Sequence, residues 1–325
     1  MLDVSAPGLA TTVQDLGRPG YYHLGIPISG AMDRHAIQAG NILVGNQPDV
    51  AALEIVFMGP ELAFADRRVV AVTGAELPPK VDGEVRPTWT PFVVEAGQIL
   101  SFDFIKSGAR AYLAIGGGID VPQVLGSRST YVLGALGGLD GRKLQQGDRL
   151  ALCPASADMP RLEWTVPENL RRPVLNPGVL RVLPGLYDFR LTSAATEGFY
   201  ADTWKVAPDA DRTGYRFRGG RPLEFQPREQ PFGAGSDPSN IVDACYPYGS
   251  IQVPNGAEPI VLHRDAVTAG GYFTLGTVIS ADMNLIGQMQ PHQKVRFERV
   301  SMSDALAARR EERERLSALR RLLDT

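Results

Sequence analysis

The residues able to do chemistry in this chain gather in a few glycine-rich strings. The densest, "TTVQDLGRPGYYHLGIPISGAMDRHA" from Thr11 to Ala36, sets Gln14, Asp15 and Arg18 between glycines and adds His23, Ser29, Asp33 and His35. Three more follow: "LGSRSTY" with Arg128 and Ser129, "DADRTGYR" with Asp211 and Arg212, and "IQVPNGAEPIVLHRDAVTAGGY" with Gln252, Asp265, Thr268, Gly270, Gly271 and Tyr272. A guanidinium is always charged and offers a planar fork of donors. Arg18, Arg128 and Arg212 therefore suit a carboxylate, a carbamate or a carboxylated cofactor, and equally suit the carbonyls of a turn. Asp211 and Asp265, each beside an arginine, fit either ion pairs or general bases.

Other chemistries lack their spacing. A phosphate-cradling G-x-x-x-x-G-K-[ST] loop, a G-x-S-x-G nucleophile elbow and an H-E-x-x-H zinc helix are all missing from the sequence. The four histidines are scattered, and His23 and His35 read as exposed or core side chains. Cys153 and Cys245 are far apart and read as free thiols, so no metal is expected. With 33 basic and 36 acidic residues the net charge is -3, which offers nucleic acid no basic field. The start, "MLDVSAPGLA", lacks a signal-peptide pattern, and no apolar run approaches the ~18 residues of a membrane span. A cytoplasmic protein that contacts no membrane is expected.

The elements that must position these residues are mostly strands. Thirty-five glycines and 25 prolines favour many tight turns. Alternation of period two marks 67–74, 99–105, 109–117, 179–185 and 294–300 as strands. Three strings share one punctuation, a turn and then alternating apolar residues: "EAGQILSF", "QQGDRLAL" and "QPHQKVRF". Two fall in the first half and one near the end, which hints at two related β-rich lobes. A helix is expected from Ala31 to Val44 with Ser29 as its N-cap, and short helical turns at 193–200 and, capped by Ser280, at 281–288. The proline-bearing stretch 154–177 reads as an interlobe linker and 228–239 as a loop. The tail from 301 to 325 is helix-forming, with Leu316, Leu319 and Leu323 on one face. It is expected to be solvated or docked on a partner.

Taken together, "TTVQDLGRPGYYHLGIPISGAMD", "NILVGN" with Glu54 after it, "GGGIDVPQVLGSRSTYVLGALGGLDGRKLQQGD", "DRTGYR", "GSIQVPNGAEPIVLHRDAVTAGGY" and "TVISADMNLIGQMQP" resemble the motifs of the biotin-dependent carboxyltransferase family, also called allophanate hydrolase subunit 2, the C subunit of 5-oxoprolinase or kinase-inhibitor antagonist. The resemblance spans roughly residues 3 to 300. It implies a mainly β fold of two cyclophilin-like β-barrel lobes with a few short helices: lobes at 1–153 and 178–300, the linker at 154–177 and a helical tail at 301–325.

It also implies a function shared with other chains. The first expectation is the C subunit of an ATP-dependent 5-oxoprolinase, opening 5-oxo-L-proline to L-glutamate. Its partners would be an allophanate hydrolase subunit 1-like protein (the B subunit of 5-oxoprolinase) and the A subunit of 5-oxoprolinase, which would share the handling of ATP. The alternatives are a carboxyltransferase component using carboxybiotin carried on a separate chain, and a non-enzymatic antagonist of a kinase-inhibitor-like subunit. Under the enzymatic readings Arg18, Arg128 and Arg212 hold anions, Asp33, Asp211 or Asp265 acts as base or orienter, and Gln14, Asp15, Ser29, Ser129, Gln252, Thr268, Gly270, Gly271 and Tyr272 contact the substrate.

Overall fold

The computed structural model describes residues 1–155, 162–172 and 176–324. The chain divides into two compact units, the first made of Met1–Arg18, Ser29–Pro173 and Arg313–Thr325, the second of Pro19–Ile28 and Val174–Glu312. Of the stretch 154–177 expected as a linker, residues 156–161 and 173–175 lie outside the described residues. Within the rest, Val166 is fully buried in the core of the first unit.

The first unit is built from two antiparallel sheets. One has seven strands in the order Ile119–Asp120, Arg149–Leu152, Leu2–Ala6, Glu61–Phe64, Ile99–Phe102, Pro79–Val81, Glu84–Val85. The other has five, ordered Thr12–Gln14, Ala52–Val56, Ser107–Ile115, Arg68–Glu76, Pro91–Val94. Alternate residues of both sheets fill one core, with Leu2, Leu62, Phe64, Leu100 and Leu150 from the first and Val13, Leu53, Val70, Val72 and Leu113 from the second. The other face of the five-stranded sheet is also dry, because helix α1 (Arg34–Leu43) lays Ala36, Ile37, Ala39 and Leu43 on Ala71, Tyr112 and Ala114. Strands covered on both faces lose the polar alternation, which is why "VVAV" is apolar throughout.

The second unit is a closed barrel of seven strands in the order Gly178–Pro184, Thr274–Val278, Ser250–Gln252, Ile260–Leu262, Gly214–Arg218, Trp204–Val206, Lys294–Arg299. The last strand closes the ring by pairing in parallel with the first, Leu180 opposite Phe297. Helix α2 (Ser193–Ala201), capped by Thr192 Oγ1 on the Ala195 N–H, packs against the barrel through Phe199. The Phe199 and Phe297 rings stack with centroids 4.7 Å apart, and Trp204 Nε1 donates to the Phe199 carbonyl at 3.1 Å. A separate two-stranded ribbon pairs Asn240–Cys245 with Ala269–Tyr272. The mainly β expectation therefore holds, with four helices among the described residues.

The three punctuated strings adopt the same turn. In each, the fourth residue's N–H bonds the first residue's carbonyl, Gln98 to Glu95 (3.1 Å), Asp148 to Gln145 (3.2 Å) and Gln293 to Gln290 (3.2 Å). The side chain of the fourth residue accepts the first residue's N–H at 2.8, 2.7 and 3.2 Å respectively. The third residue is left-handed in all three, with φ +86 at Gly97, +88 at Gly147 and +68 at His292.

Three expectations are corrected. Ser29 does not cap α1; Asp33 does, its Oδ1 accepting the Ala36 N–H at 3.0 Å. Ser29 sits at φ +54, and the amides after it are claimed by distant groups: Ala31 N–H by the Asp15 carbonyl (2.9 Å), Met32 N–H by Glu54 Oε2 (2.9 Å), Asp33 N–H by Tyr112 Oη (2.7 Å). Residues 31–33 are thus held out of the helix. Ser280 likewise gives way to Asp282 as the residue before α3 (Met283–Ile286). Asp282 turns its carboxylate to the Arg181 guanidinium at 2.7 and 3.0 Å.

The tail, α4 (Met302–Asp324), is not simply solvated. Ala305 and Ala308 pack with Ile279 and Ala281 in the second unit, and Leu319 is wholly buried in the α1 cluster of the first. Its start is a reciprocal cap in which Ser301 Oγ–H donates to Asp304 Oδ2 at 2.6 Å and Oγ accepts the Asp304 N–H at 3.2 Å.

Candidate functional site

In the first unit Asp15 organises the polar residues. It follows the strand Thr12–Gln14, is 9% exposed, and receives four donors on its carboxylate. Oδ1 accepts from the Gly17 N–H (2.7 Å), Ser127 Oγ–H (2.7 Å) and Ser129 Oγ–H; Oδ2 accepts from the Arg128 N–H at 2.6 Å. Ser129 Oγ in turn accepts the Asp15 N–H at 2.9 Å. A hydrogen-bonded knot therefore fastens the segment 127–129 to the chain at 15–17.

Arg18 is 1% exposed and donates to the Ser129 carbonyl, with Nε 3.5 Å from the Val124 carbonyl. Gln14 is fully buried and donates to Thr12 Oγ1 (3.0 Å) and the Thr130 carbonyl (3.1 Å). Gly30 permits the close approach of 29–31 to this knot, since a Cβ there would meet Gly17 N at 2.6 Å. The Ser29 hydroxyl is buried with no hydrogen-bond partner among the described residues.

Arg128 points the other way. Its Nε donates to the Val121 carbonyl at 2.9 Å and its Nη2 stands 3.6 Å from Asp120, with 30% of the side chain exposed. Asp33 lies at the start of α1 beside a buried pair, Tyr112 Oη donating to Glu54 Oε2 at 2.7 Å. Burial first, and the Glu54 and Asp33 carboxylates next, push the Tyr112 phenol far above its usual range. Tyr112 thus stays a neutral phenol that donates to Glu54 while its oxygen accepts the Asp33 N–H at the start of the helix.

In the second unit, Arg212 and Asp265 form a two-point pair, Nε to Oδ2 at 2.7 Å and Nη2 to Oδ1 at 3.1 Å, with Asp265 only 5% exposed. Their backbones are joined as well, the Asp265 N–H donating to the Arg212 carbonyl at 2.9 Å. Asp211 is exposed and closes its own turn, Oδ1 accepting the N–H groups of Thr213 (2.8 Å) and Gly214 (3.1 Å). Arg264, between His263 and Asp265, is 5% exposed, and its guanidinium carbon lies 4.3 Å from the centroid of the Tyr248 ring.

Gln252, Gly270 and Tyr272 gather around Tyr246, whereas a Cβ on Gly271 would meet the Ile241 carbonyl at 3.2 Å. The Tyr272 N–H donates to Tyr246 Oη at 2.6 Å, and a Cβ on Gly270 would touch the Tyr246 ring at 3.1 Å. Burial raises the Tyr246 phenol, while the hydrogen bond from the Tyr272 N–H acts against the rise. Thr268 contributes its carbonyl to the Tyr246 N–H at 2.8 Å, and on the far side Tyr22 Oη donates to the Tyr246 carbonyl at 2.9 Å.

The structure thus brings Gln14, Asp15, Arg18, Arg128 and Ser129 together in the first unit, and Arg212 with Asp265 in the second. His23 is exposed, whereas His35 is a core side chain with Nε2 2.7 Å from the Leu170 carbonyl. Among the described residues no group of three or more His, Cys, Asp or Glu could hold a metal ion, and no helix is long and apolar enough to cross a membrane. Sequence reading passed over Tyr112, Tyr246, Tyr248 and Arg264. The one signal for Arg264 is its place in an Arg-Asp dipeptide whose acid another arginine claims.

Residues 24–299 match the family described as carboxyltransferase domain, subdomain A and B. The chain is 34% identical over 324 residues to the C subunit of 5-oxoprolinase from Haemophilus influenzae, covering 100% of this chain and 99% of that protein. It is also 34% identical over 306 residues to urea amidolyase of Saccharomyces cerevisiae, covering 91% of this chain and 16% of that protein. The crystal structure of K. lactis urea amidolyase superposes with a TM-score of 0.91 at 33% identity, over 98% of this chain and 20% of that one. The chain thus spans about a fifth or less of the urea amidolyases it matches. With the matched stretch covering most of its length, the chain belongs to the carboxyltransferase domain family of subdomains A and B.

Proposed function

We propose that this chain is the C subunit of an ATP-dependent 5-oxoprolinase, opening 5-oxo-L-proline to L-glutamate together with two partners, a B subunit resembling allophanate hydrolase subunit 1 and an A subunit. The observation that carries this reading is the alignment with the Haemophilus protein, which takes in 99% of that chain at 34% identity, against 16% of the yeast urea amidolyase.

A lactam resists water because its nitrogen lone pair is delocalised into the carbonyl. ATP, as cosubstrate, phosphorylates the amide oxygen and so opens the carbonyl carbon to water. The ring nitrogen then leaves as the amine of glutamate, and a second water releases phosphate from the acyl phosphate that remains. This chain's residues then bind anionic oxygen and orient water. Arg128 suits the first role, since its guanidinium is part-exposed, with one good bond to a carbonyl and only a loose contact to Asp120. In the second unit, taken by itself, the Arg212 fork fixes the plane of Asp265 while each oxygen keeps a lone pair for a further donor, an arrangement that suits the orienting of a water bound to that unit. Arg18 and Arg212 act as positioning residues in this reading, and Asp15 holds Arg128 in place through its backbone.

The test is reconstitution with the A and B subunits. ADP release that depends on 5-oxoproline is expected, with Arg128→Gln slowing it by ~10²-fold or more. The absence of any oxoproline-dependent ADP release sinks the proposal. A second reading, carboxyl transfer from carboxybiotin on a separate carrier to urea, draws on the family description and the 0.91 TM-score to urea amidolyase. In that reading the same arginines hold the transferred carboxylate, and label passing from carboxylated carrier to urea identifies it.

A further inference from the structure

We infer that Arg264 is the base of a binding site for a small oxyanion, a carboxylate or a phosphate group. Arg264 follows the barrel strand Ile260–Leu262 and is 5% exposed. Its Nε is out of solvent with no acceptor, and among the described residues no carboxylate or carbonyl accepts a hydrogen bond from any of its nitrogens. The nearest acid in sequence, Asp265, is held at 2.7 and 3.1 Å by the Arg212 fork. The three side chains Arg212, Asp265 and Arg264 therefore carry one positive charge without a counter-charge among them.

A desolvated cation without a partner is costly, and folded proteins almost always pair such groups. Among the described residues its one electrostatic contact is with an aromatic face, the Tyr248 ring 4.3 Å away, which attracts the cation yet accepts none of its N–H groups in the plane. That stacking fixes the plane of the guanidinium. A fork of fixed plane, free of protein acceptors, is pre-organised for the two oxygens of a carboxylate or of a phosphate. The site does not depend on which reaction the chain serves, since both proposed chemistries involve anionic oxygen.

The full chain is melted at constant ionic strength with acetate, 5-oxo-L-proline or inorganic phosphate, and the Arg264 Nε–H resonance is followed by NMR in the same titrations. A saturable rise in melting temperature with a shift of that resonance is expected. Response to acetate and oxoproline alone assigns a carboxylate site, response to phosphate alone a phosphoryl site, and either result supports the proposal. Arg264→Lys, which keeps the charge but loses the fork, should weaken binding at least tenfold. Arg264→Gln should abolish it while melting no lower than the parent without anion, and the exposed Arg309→Gln should change nothing. An unmoved Nε–H resonance in the parent chain with all three anions overturns the proposal, as does an equal anion response in Arg264→Gln. None of these readouts uses turnover, so a failed oxoprolinase assay leaves them separately decidable.

Discussion

Replacing Asp15 by asparagine changes one oxygen to an amide nitrogen inside a knot that has no room for another donor. The amide oxygen is best kept on the Oδ1 side, where three donors converge, namely the Gly17 N–H and the Ser127 and Ser129 hydroxyls. The new NH2 then faces the Arg128 N–H, which in the parent lies 2.6 Å from Oδ2. One hydrogen bond to a charged acceptor is lost, worth ~1.5–3 kcal/mol, and an N–H is left facing a donor, which costs ~1–3 kcal/mol. These two figures overlap, so Asp15→Asn should lower stability by roughly 2–4 kcal/mol. Urea denaturation gives the energy, and hydrogen exchange of the Arg128 and Ser129 amides locates it. A loss under ~0.5 kcal/mol with unchanged protection of those amides would refute the claim that Asp15 fastens this segment.

Two further predictions follow from the recurring turn. His292 occupies at φ +68 the place that Gly97 and Gly147 fill in the sister turns. Relief of ~1–2 kcal/mol of left-handed strain, less the ~0.5–1 kcal/mol that glycine loses in chain entropy, should make His292→Gly more stable by about 0.5–1 kcal/mol; an unchanged denaturation midpoint contradicts this. In the second turn, hydrogen bonds from the Arg142 fork at 2.7 and 2.9 Å, and then the Gln145 N–H, hold the Asp148 carboxyl below the usual carboxylate range against a smaller effect of burial. A depressed acid adds stability above its unfolded pKa of about 4 and loses it as pH falls through the folded value. The stability difference between the parent and Arg142→Gln should therefore shrink as denaturation is repeated from pH 5 downwards. A difference constant over that range would show that the pair does not titrate with folding.

Local signals carried much of the fold. Period-two runs located strands, and the strings before "ILSF", "RLAL" and "KVRF" proved to be one turn made three times. The helices expected near residue 193 and in the tail exist, at Ser193–Ala201 and Met302–Asp324. What escaped depends on groups far apart in sequence. Ser29 has the right type and place for a cap, but Asp15, Glu54 and Tyr112 hold the following amides from strands and a turn elsewhere in the unit. Leu319 lies on an ordinary amphipathic stripe, and only packing against the α1 cluster shows that its own chain covers it.

The site was legible to the same degree. Asp15, Arg128 and Ser129 stood out as types and do meet in space, though Asp15 turns all its acceptors towards its own chain. Arg264 could not be singled out in sequence, because an Arg-Asp dipeptide looks self-paired until Arg212, 53 residues from Asp265, is seen to hold the acid.

The most direct test of the functional account is the full complex. The chain is combined with the A and B subunits, ATP and 5-oxo-L-proline, and ADP and L-glutamate are measured together. The account predicts that both appear in step and that omitting this chain stops them. Transfer of label from a carboxylated biotin carrier to urea, with no glutamate formed from 5-oxoproline, would contradict it.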